Sequence, residues 1–195
     1  MKYEINSWFR KSRKKYEYNR HNIGFLVLDH YLKNSDFKEK FNGLYKIEVI
    51  NGEKVIFLKP QSYMNLSGNV VKKFKDFYKI DISDILIIYD DISFEFGILK
   101  LKPKGSSGGH NGLKNIIEML GTTDIKRLKI GISKNNIELK NYVLSNFNKI
   151  EKEKLNEILK MTDSIISDYI NYDFQTLMNR YNWGRKKCFL IIYSH

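Results

Sequence analysis

The sequence predicts an α/β fold, in which a single three-layer domain contains a twisted mixed β-sheet flanked by helices. Helical spacing of apolar residues alternates along the chain with short apolar runs, and one run, Ile85-Leu86-Ile87-Ile88, is apolar throughout. A strand of this kind is covered on both faces, which requires helices on both sides of the sheet. The chain has two prolines and no Gly/Ser-rich linker, so nothing divides this domain in two.

The elements before the apolar run follow from spacing and from one turn. Residues 23–31 place their apolar side chains on one face of a helix. Residues 44–50 and 55–58 read as strands on either side of Asn51-Gly52, a pair that favours a two-residue hairpin turn. Residues 70–78 have helical spacing again, so a second helix is expected just before the buried strand.

The elements after the apolar run continue the alternation. Residues 98–101 and 128–132 are predicted strands, and a helix from residue 112 to about residue 120 separates them. Residues 155–169 carry a long apolar stripe at helical spacing. The last predicted element is a short helix over residues 173–181, in which Asp173 is the N-cap.

Composition and charge limit the class of protein. The 195 residues include 34 Lys plus Arg and 22 Asp plus Glu, a net charge of +12, so the expected partner is a polyanion such as nucleic acid, with a solvated lysine-rich surface as the alternative. A single cysteine, Cys188, excludes an internal disulfide framework and suits the cytoplasm. No apolar run approaches the ~18 residues of a membrane span, and Met1-Lys2-Tyr3-Glu4 does not start a signal peptide, so we expect no membrane association.

Candidate catalytic residues lie in loops beside the predicted strands, where α/β proteins build their sites. His21 is the best candidate for a general base because imidazole titrates near neutral pH. Asp90 follows the buried strand and is suited to hold the imidazole in one tautomer. The alternative for both residues is helix capping. His110 is a possible ligand or second base, although packing of its loop is the favoured interpretation.

Two asparagines and a group of cations complete the candidate site. Asn65 and Asn111 each offer a donor and an acceptor, which suits binding of a carbonyl or an oxyanion, unless they only bind loop backbone. The cations on or beside two predicted strands are suited to phosphate, or form a solvated strand face; they are Lys100, Lys102, Lys104, Arg127 and Lys129. No Cys/His spacing fits zinc, and the glycines of residues 105–112 match no nucleotide-binding loop, so neither metal nor cofactor is expected.

Five segments between residues 16 and 181 carry a specific resemblance to a known family. They are Tyr16 with Asn19-Arg20-His21-Asn22-Ile23-Gly24, Lys59-Pro60-Gln61-Ser62-Tyr63-Met64-Asn65-Leu66-Ser67-Gly68, Asp90-Asp91, Gly108-Gly109-His110-Asn111-Gly112-Leu113 and Arg127-Leu128-Lys129-Ile130-Gly131-Ile132. In order and spacing they resemble the bacterial peptidyl-tRNA hydrolases. The resemblance implies a monomeric cytoplasmic enzyme without a cofactor, which cleaves the ester between peptide and tRNA and so returns tRNA to translation.

The resemblance also implies a role for each matching residue. His21 would activate water, Asp90 would stabilise the working form of His21, and both asparagines would bind the ester or its oxyanion. Tyr16 and Tyr63 would line the pocket for the 3′ end of tRNA, where aromatic rings stack on bases. Met64 and His110 would shape the walls. Phosphate contacts would come from Lys102, Lys104, Arg127 and Lys129.

The first fifteen residues depart from the family, which begins with a buried strand and Gly-Leu-Gly-Asn-Pro-Gly. Residues 1–15 lack both, yet suitable synonymous codons read one nucleotide later from Tyr3-Glu4 encode Met-Lys-Leu-Ile-Val-Gly-Leu-Gly-Asn-Pro-Gly. We therefore interpret residues 1–15 as an aberrant, frameshifted segment, residues 16–183 as the domain, and residues 184–195 as a tail. The lost strand predicts low stability and weak activity, and the alternative function is an inactive tRNA-binding remnant. Sequencing the DNA of codons 1–16 tests the frameshift.

Overall fold

The computed structural model describes residues 18–33, 35–61, 66–133 and 139–182. Within these ranges the helices are α1 (Ile23–Tyr31), α2 (Ser67–Tyr78), α3 (Asn111–Leu120), α4 (Leu139–Val143), α5 (Lys149–Asn171) and α6 (Phe174–Tyr181). The strands are β1 (Lys38–Lys40), β2 (Gly43–Ile50), β3 (Glu53–Pro60), β4 (Leu86–Asp91), β5 (Leu99–Lys102) and β6 (Lys126–Gly131). The segments 1–15 and 184–195, which the sequence sets apart, lie outside the described residues.

The strands in the described ranges form two three-stranded sheets. Strands β1, β2 and β3 are antiparallel neighbours, and Asn51 and Gly52 join β2 to β3 with φ angles of +54° and +84°. Two positive φ angles are what a two-residue hairpin turn of this hand requires, so the predicted hairpin is confirmed. In the second sheet, β6 lies between β4 and β5, parallel to β4 and antiparallel to β5.

Helices cover both faces of the mixed sheet. On one face, Leu128 and Ile130 of β6 pack into clusters that include apolar residues of α1, α5 and α6. On the other face, Ile87 and Ile125 pack against apolar residues of α2 and α3. A buried sheet with helices on both sides is the predicted three-layer α/β arrangement, so the fold class is confirmed. No helix in the described ranges is both long enough and apolar enough to cross a membrane.

Two short elements carried no usable signal in the sequence. Strand β1 reads Lys-Glu-Lys, which contains no apolar residue, and it pairs with β2 in antiparallel register. Helix α4 has five residues, fewer than two turns, so apolar spacing does not define it. Neither element forms part of the mixed sheet, and tertiary contacts rather than local preference decide their conformation.

The start of α1 lies against β4 at very short range. A Cβ atom built on Gly24 would lie 2.6 Å from the carbonyl oxygen of Ile88, which is closer than a side chain allows. Glycine is therefore required at this crossing. The contact brings the residues just before α1 next to the last residues of β4, and this is where the candidate site is built.

Candidate active site

His21 lies in a 3₁₀ turn, Arg20–Asn22, that leads into α1. Asn19 caps this turn: its side chain accepts a hydrogen bond from the backbone N–H of Asn22 at 2.9 Å. Because Gly24 holds the next turn against β4, the His21 ring faces the end of that strand. Asn19, and not His21, therefore caps this turn, as the preference of asparagine for N-cap positions predicts. The imidazole of His21 is not used as a cap and is available for chemistry.

Asp90 joins two histidines that are distant in sequence. His21 Nδ1 lies 2.8 Å from Asp90 Oδ1, and His110 Nε2 lies 3.3 Å from the same oxygen. The two imidazole rings are 5.0 Å apart between centroids. Asp90 is only 4% exposed, so its carboxylate is shielded from water and interacts strongly with both rings.

The hydrogen bonds define a tautomer for each ring. The backbone N–H of Leu113 donates to His110 Nδ1 at 3.1 Å, so the proton of the neutral His110 ring is on Nε2 and is donated to Asp90. A carboxylate only accepts, so the proton of the neutral His21 ring is on Nδ1. Nε2 of His21 then carries a lone pair, which is the form a general base requires.

Asp90 stays ionised because of these two histidines. Burial alone raises the pKa of Asp90, but the hydrogen bonds from His110 and His21 outweigh that effect and hold the pKa well below its ordinary value. A carboxylate that is charged at every physiological pH stabilises a positive imidazole beside it. The pair is therefore suited to take up a proton at His21 and to release it again.

The same three side chains are the one group of possible metal ligands found among the described residues, with ligand atoms within 4.8 Å of one another. Their hydrogen bonds do not suit a metal ion. Nδ1 of His110 accepts a hydrogen bond from the backbone N–H of Leu113 and so carries no proton, which means that a metal on Nε2 would require a fully deprotonated ring. Histidine ligands normally donate from their second nitrogen instead. The cluster fits proton transfer better than metal binding.

Asn111 is the first residue of α3 and directly follows His110, which caps that helix. Its exposed position next to a histidine of the cluster agrees with a place at the rim of the site. Tyr16, Tyr63, Met64 and Asn65 lie outside the described residues, so their predicted roles stay predictions.

The predicted phosphate contacts divide into two kinds. Lys102 is the last residue of β5 and Lys104 follows the strand; both are exposed, as a phosphate contact requires. Lys129 Nζ lies 2.7 Å from Asp91 Oδ2 in an ion pair on the Tyr89 side of the sheet. Burial lowers the pKa of Lys129, but the hydrogen bond to Asp91 outweighs it and raises the pKa overall, so this lysine stays charged.

Arg127 has no access to a phosphate and is not retained among the predicted contacts. Its side chain is 1% exposed and donates to backbone carbonyls, at 2.7 Å to Ser106, 2.9 Å to Thr123 and 3.1 Å to Ile125. It also bonds to the carbonyl of Gly105. The reason for the difference is that strand alternation shows which face a residue occupies, but not whether a loop covers that face. Here the glycine-rich loop covers Arg127.

Two residues that contribute to the site were not predicted from the sequence. Asp91 neutralises Lys129, and Glu151 binds Arg20 next to His21. Asn148 and Glu151 have the spacing of a capping box, a usable signal for the start of α5, and the structure forms both of its hydrogen bonds. No sequence pattern indicates that Glu151 also reaches Arg20.

Comparison with known proteins relates this chain to one family. The family model described as peptidyl-tRNA hydrolase matches residues 12–188. The peptidyl-tRNA hydrolase of Exiguobacterium sp. is 45% identical over 174 residues, 87% of this chain and 94% of the relative. That of Clostridium botulinum is 46% identical over 171 residues, 86% and 90% of the two chains. The crystal structure of peptidyl-tRNA hydrolase from Acinetobacter baumannii has a TM-score of 0.80 at 29% identity and covers 87% and 89% of the two chains.

Proposed function

Because the chain belongs to the peptidyl-tRNA hydrolase family, we propose that it hydrolyses the ester between peptide and tRNA with His21 as general base and Asp90 as its partner. The 2.8 Å hydrogen bond between His21 Nδ1 and buried Asp90 carries this proposal. It leaves Nε2 of His21 free to accept a proton. A histidine that served only to cap a helix would not require a free ring nitrogen.

The reaction begins when His21 Nε2 takes a proton from water. The water oxygen attacks the ester carbonyl carbon, and the imidazolium that forms is stabilised by the ionised Asp90. The tetrahedral intermediate then collapses, and the bond between the carbonyl carbon and the ribose oxygen breaks. His21 returns its proton to the ribose oxygen, so the products are a free tRNA hydroxyl and a peptide carboxylic acid, which releases its proton to solvent and leaves as the carboxylate.

The two asparagines bind the reacting group in this proposal. An amide N–H from Asn111 or Asn65 donates to the carbonyl oxygen as it becomes negative, an interaction that strengthens in the transition state. Support for Asn111 comes from its position next to His110 at the start of α3. The roles of Asn65, Tyr16 and Tyr63 rest on the family resemblance alone.

The tRNA phosphates bind Lys102, Lys104 and Lys129 in this proposal. Lys102 and Lys104 are exposed beside the glycine-rich loop that leads to His110 and Asn111, which supports their assignment. Lys129 starts from an ion pair with Asp91, so a phosphate must compete with that carboxylate. We infer that the enzyme acts as a monomer in the cytoplasm, as the family resemblance implies.

The substitution His21→Ala tests the proposal in the full-length chain. Turnover of peptidyl-tRNA should fall about 100-fold or more, while affinity for tRNA should stay within about twofold because the phosphate contacts are unchanged. His30→Ala is the matched control: His30 lies on α1 and pairs with Asp163 instead of the cluster. Turnover that survives His21→Ala would overturn the proposal. Loss of turnover in the His30→Ala variant as well would also count against it, because the loss would then come from damage to α1 and not from removal of the base.

A further inference from the structure

Arg20, the residue just before His21, has its side chain turned away from the catalytic cluster into a distant part of the chain. One terminal nitrogen donates to Ser145 Oγ and to the carbonyl of Asn146, both at 2.7 Å. The other donates to both carboxylate oxygens of Glu151, at 2.8 Å and 2.6 Å. Because both terminal nitrogens are bound, these hydrogen bonds together fix the plane of the guanidinium as well as its position.

The surroundings of this guanidinium are closed. Its central carbon lies 4.5 Å from the centre of the Tyr142 ring and 5.4 Å from that of Phe147. Arg20 is 5% exposed, so it does not reach peptide or RNA. Glu151 also closes the capping box at the start of α5, where its carboxylate accepts from the backbone N–H of Asn148 at 2.7 Å. The acidic partner is therefore held in place as firmly as the arginine.

Backbone contacts join the same two segments. The N–H of Arg20 donates to the carbonyl of Ser145 at 3.1 Å, and that of Phe147 donates to the carbonyl of Tyr18 at 3.2 Å. Asn19 and Asn146 form an isolated antiparallel bridge. The chain entering the His21 turn is thus one side of a short strand pair, and the side chain of Arg20 anchors it to the other side.

We propose that Arg20 is a positioning residue for catalysis, in which its clamp on Ser145, Asn146 and Glu151 holds the His21 ring in line with Asp90. This inference rests on the proposed function. The turn that carries His21 is only three residues long, so a single turn of backbone does not by itself set the ring to the accuracy that proton transfer requires. Arg20 fixes the turn from the N-terminal side, and the contact of Gly24 with β4 fixes it from the other side.

The clamp acts on His21 through position and not through charge. Arg20 and Glu151 form an ion pair at 2.6 Å, in which the two charges offset each other. The side-chain hydrogen bonds of Arg20 go to Ser145, Asn146 and Glu151 and not to the cluster. The proposal therefore predicts a misplaced ring after the clamp is removed, with a lower kcat. It predicts little change in KM, because none of the clamp residues is assigned to substrate binding.

The experiment compares Arg20→Met and Arg20→Lys with Arg180→Met as the matched control. Arg180 also pairs with a carboxylate, that of Asp168, but it is exposed on α6. Each full-length variant is assayed for kcat and KM with peptidyl-tRNA relative to the unchanged chain. Nitrogen-15 NMR of the His21 ring over a pH series reports the tautomer and the hydrogen bond to Asp90, independently of activity.

For Arg20→Met we expect kcat to fall about 100-fold with KM within about threefold, and the His21 Nδ1–H signal to lose the shift typical of a carboxylate partner. Arg20→Lys keeps a charge for Glu151 but not the planar fork, so we expect a loss of about 10-fold. The control should stay within about twofold in kcat, with an unchanged His21 spectrum.

A folded Arg20→Met variant with unchanged kcat and an unchanged His21 spectrum overturns the inference, as does a rise in KM alone. If Arg20→Met fails to fold, Arg20→Lys and Glu151→Gln decide: unchanged kcat and spectrum in both overturn it as well. Failure of the proposed function is a separate result, because it appears as turnover that survives His21→Ala. The inference alone fails when His21→Ala is inactive but the arginine variants behave like the unchanged chain.

Discussion

Two buried arginines support two walls of the candidate site, and they are held in different ways. The first wall is the turn that carries His21, and the second is the glycine-rich loop before His110. Arg20 precedes His21 and binds the carboxylate of Glu151, whereas Arg127 lies under the glycine-rich loop before His110 and binds only backbone carbonyls. In the part of the chain that the structure describes, no carboxylate forms an ion pair with Arg127. One wall depends on a charge pair and the other on carbonyl dipoles around an isolated charge.

The difference lies in what each arginine connects. The partners of Arg20 are 125 to 131 positions away along the chain, so this clamp joins parts of the fold that meet only in the folded state. The partners of Arg127 are 2 to 22 positions away, so this clamp shapes one local loop. A carbonyl-bound guanidinium has its donors satisfied but keeps its full charge, which makes its surroundings costly to disturb.

The largest expected effect comes from the residue where the two walls meet. Asp90→Asn replaces an acceptor of two histidine protons with an amide that also donates, so one histidine loses its partner. We expect kcat to fall about 100- to 10,000-fold with tRNA affinity maintained, as measured by single-turnover kinetics and by fluorescence anisotropy. Activity within about tenfold of the unchanged chain would show that the carboxylate is not needed to orient His21.

The same substitution changes how stability depends on pH. The folded-state pKa of Asp90 is lowered, so its contribution is present above the ordinary value of about 3.9 and is lost as the pH falls below it. The free energy of unfolding of the unchanged chain, measured with urea, should therefore fall more between about pH 4 and pH 2.5 than that of Asp90→Asn. If the free energy of unfolding depended on pH equally in both chains, the histidines would not stabilise this carboxylate.

Substitution of Arg127, the buried charge that binds only backbone carbonyls, tests the wall formed by the glycine-rich loop. Arg127→Met leaves the carbonyls of Gly105 and Ser106 without their donor and releases the loop, so we expect a loss of about 2–4 kcal/mol in the free energy of unfolding. Arg180→Met is the control, with a loss below about 1 kcal/mol because that pair is exposed. Comparable losses for the two variants would mean that carbonyl partners hold Arg127 no better than water would.

Removal of the charge that pairs with Arg20 should lower the free energy of unfolding by less than Arg127→Met does. Glu151→Gln keeps a hydrogen-bonding group at the capping box but removes the charge opposite Arg20, so we expect a loss of about 1–2 kcal/mol in the free energy of unfolding. Glu118→Gln is its control, since Glu118 is exposed and forms a 4.0 Å pair with the exposed Lys114. If Glu151→Gln cost more than Arg127→Met, the ranking of the two clamps would be reversed.

The smallest effect distinguishes an exposed cation from the buried one beside it. Lys102 is the cross-strand neighbour of Arg127 but is exposed. Lys102→Ala should weaken tRNA binding and reduce the slope of log affinity against log salt by about 1. Lys160→Ala, at an exposed position on α5, is the control and should leave the slope unchanged. An unchanged slope for Lys102→Ala would remove this lysine from the phosphate contacts.

Local patterns in the sequence were enough for most of the elements and for the pairing of His21 with Asp90, the proposed catalytic pair. Apolar spacing located α1, α2, α3 and the long helix α5, and Asn51-Gly52 located the hairpin. His21 and Asp90 were predicted as partners because each lies next to an element end that α/β sheets bring together. These features depend on neighbouring residues or on a general rule of topology, and both can be read from one sequence.

The sequence by itself thus determined the α/β class, the family and the identity of the histidine and carboxylate at the centre of the site. Only the tertiary structure decided that His110 shares Asp90 with His21, that Arg127 is covered by its own loop, and that Glu151 reaches Arg20. The physical reason is that periodicity reports which face of an element a side chain occupies. What lies on that face depends on other segments of the chain, which are 20 residues away for His110 and Asp90, 22 for Arg127 and Gly105, and 131 for Arg20 and Glu151. No local pattern shows which of these segments will pack there.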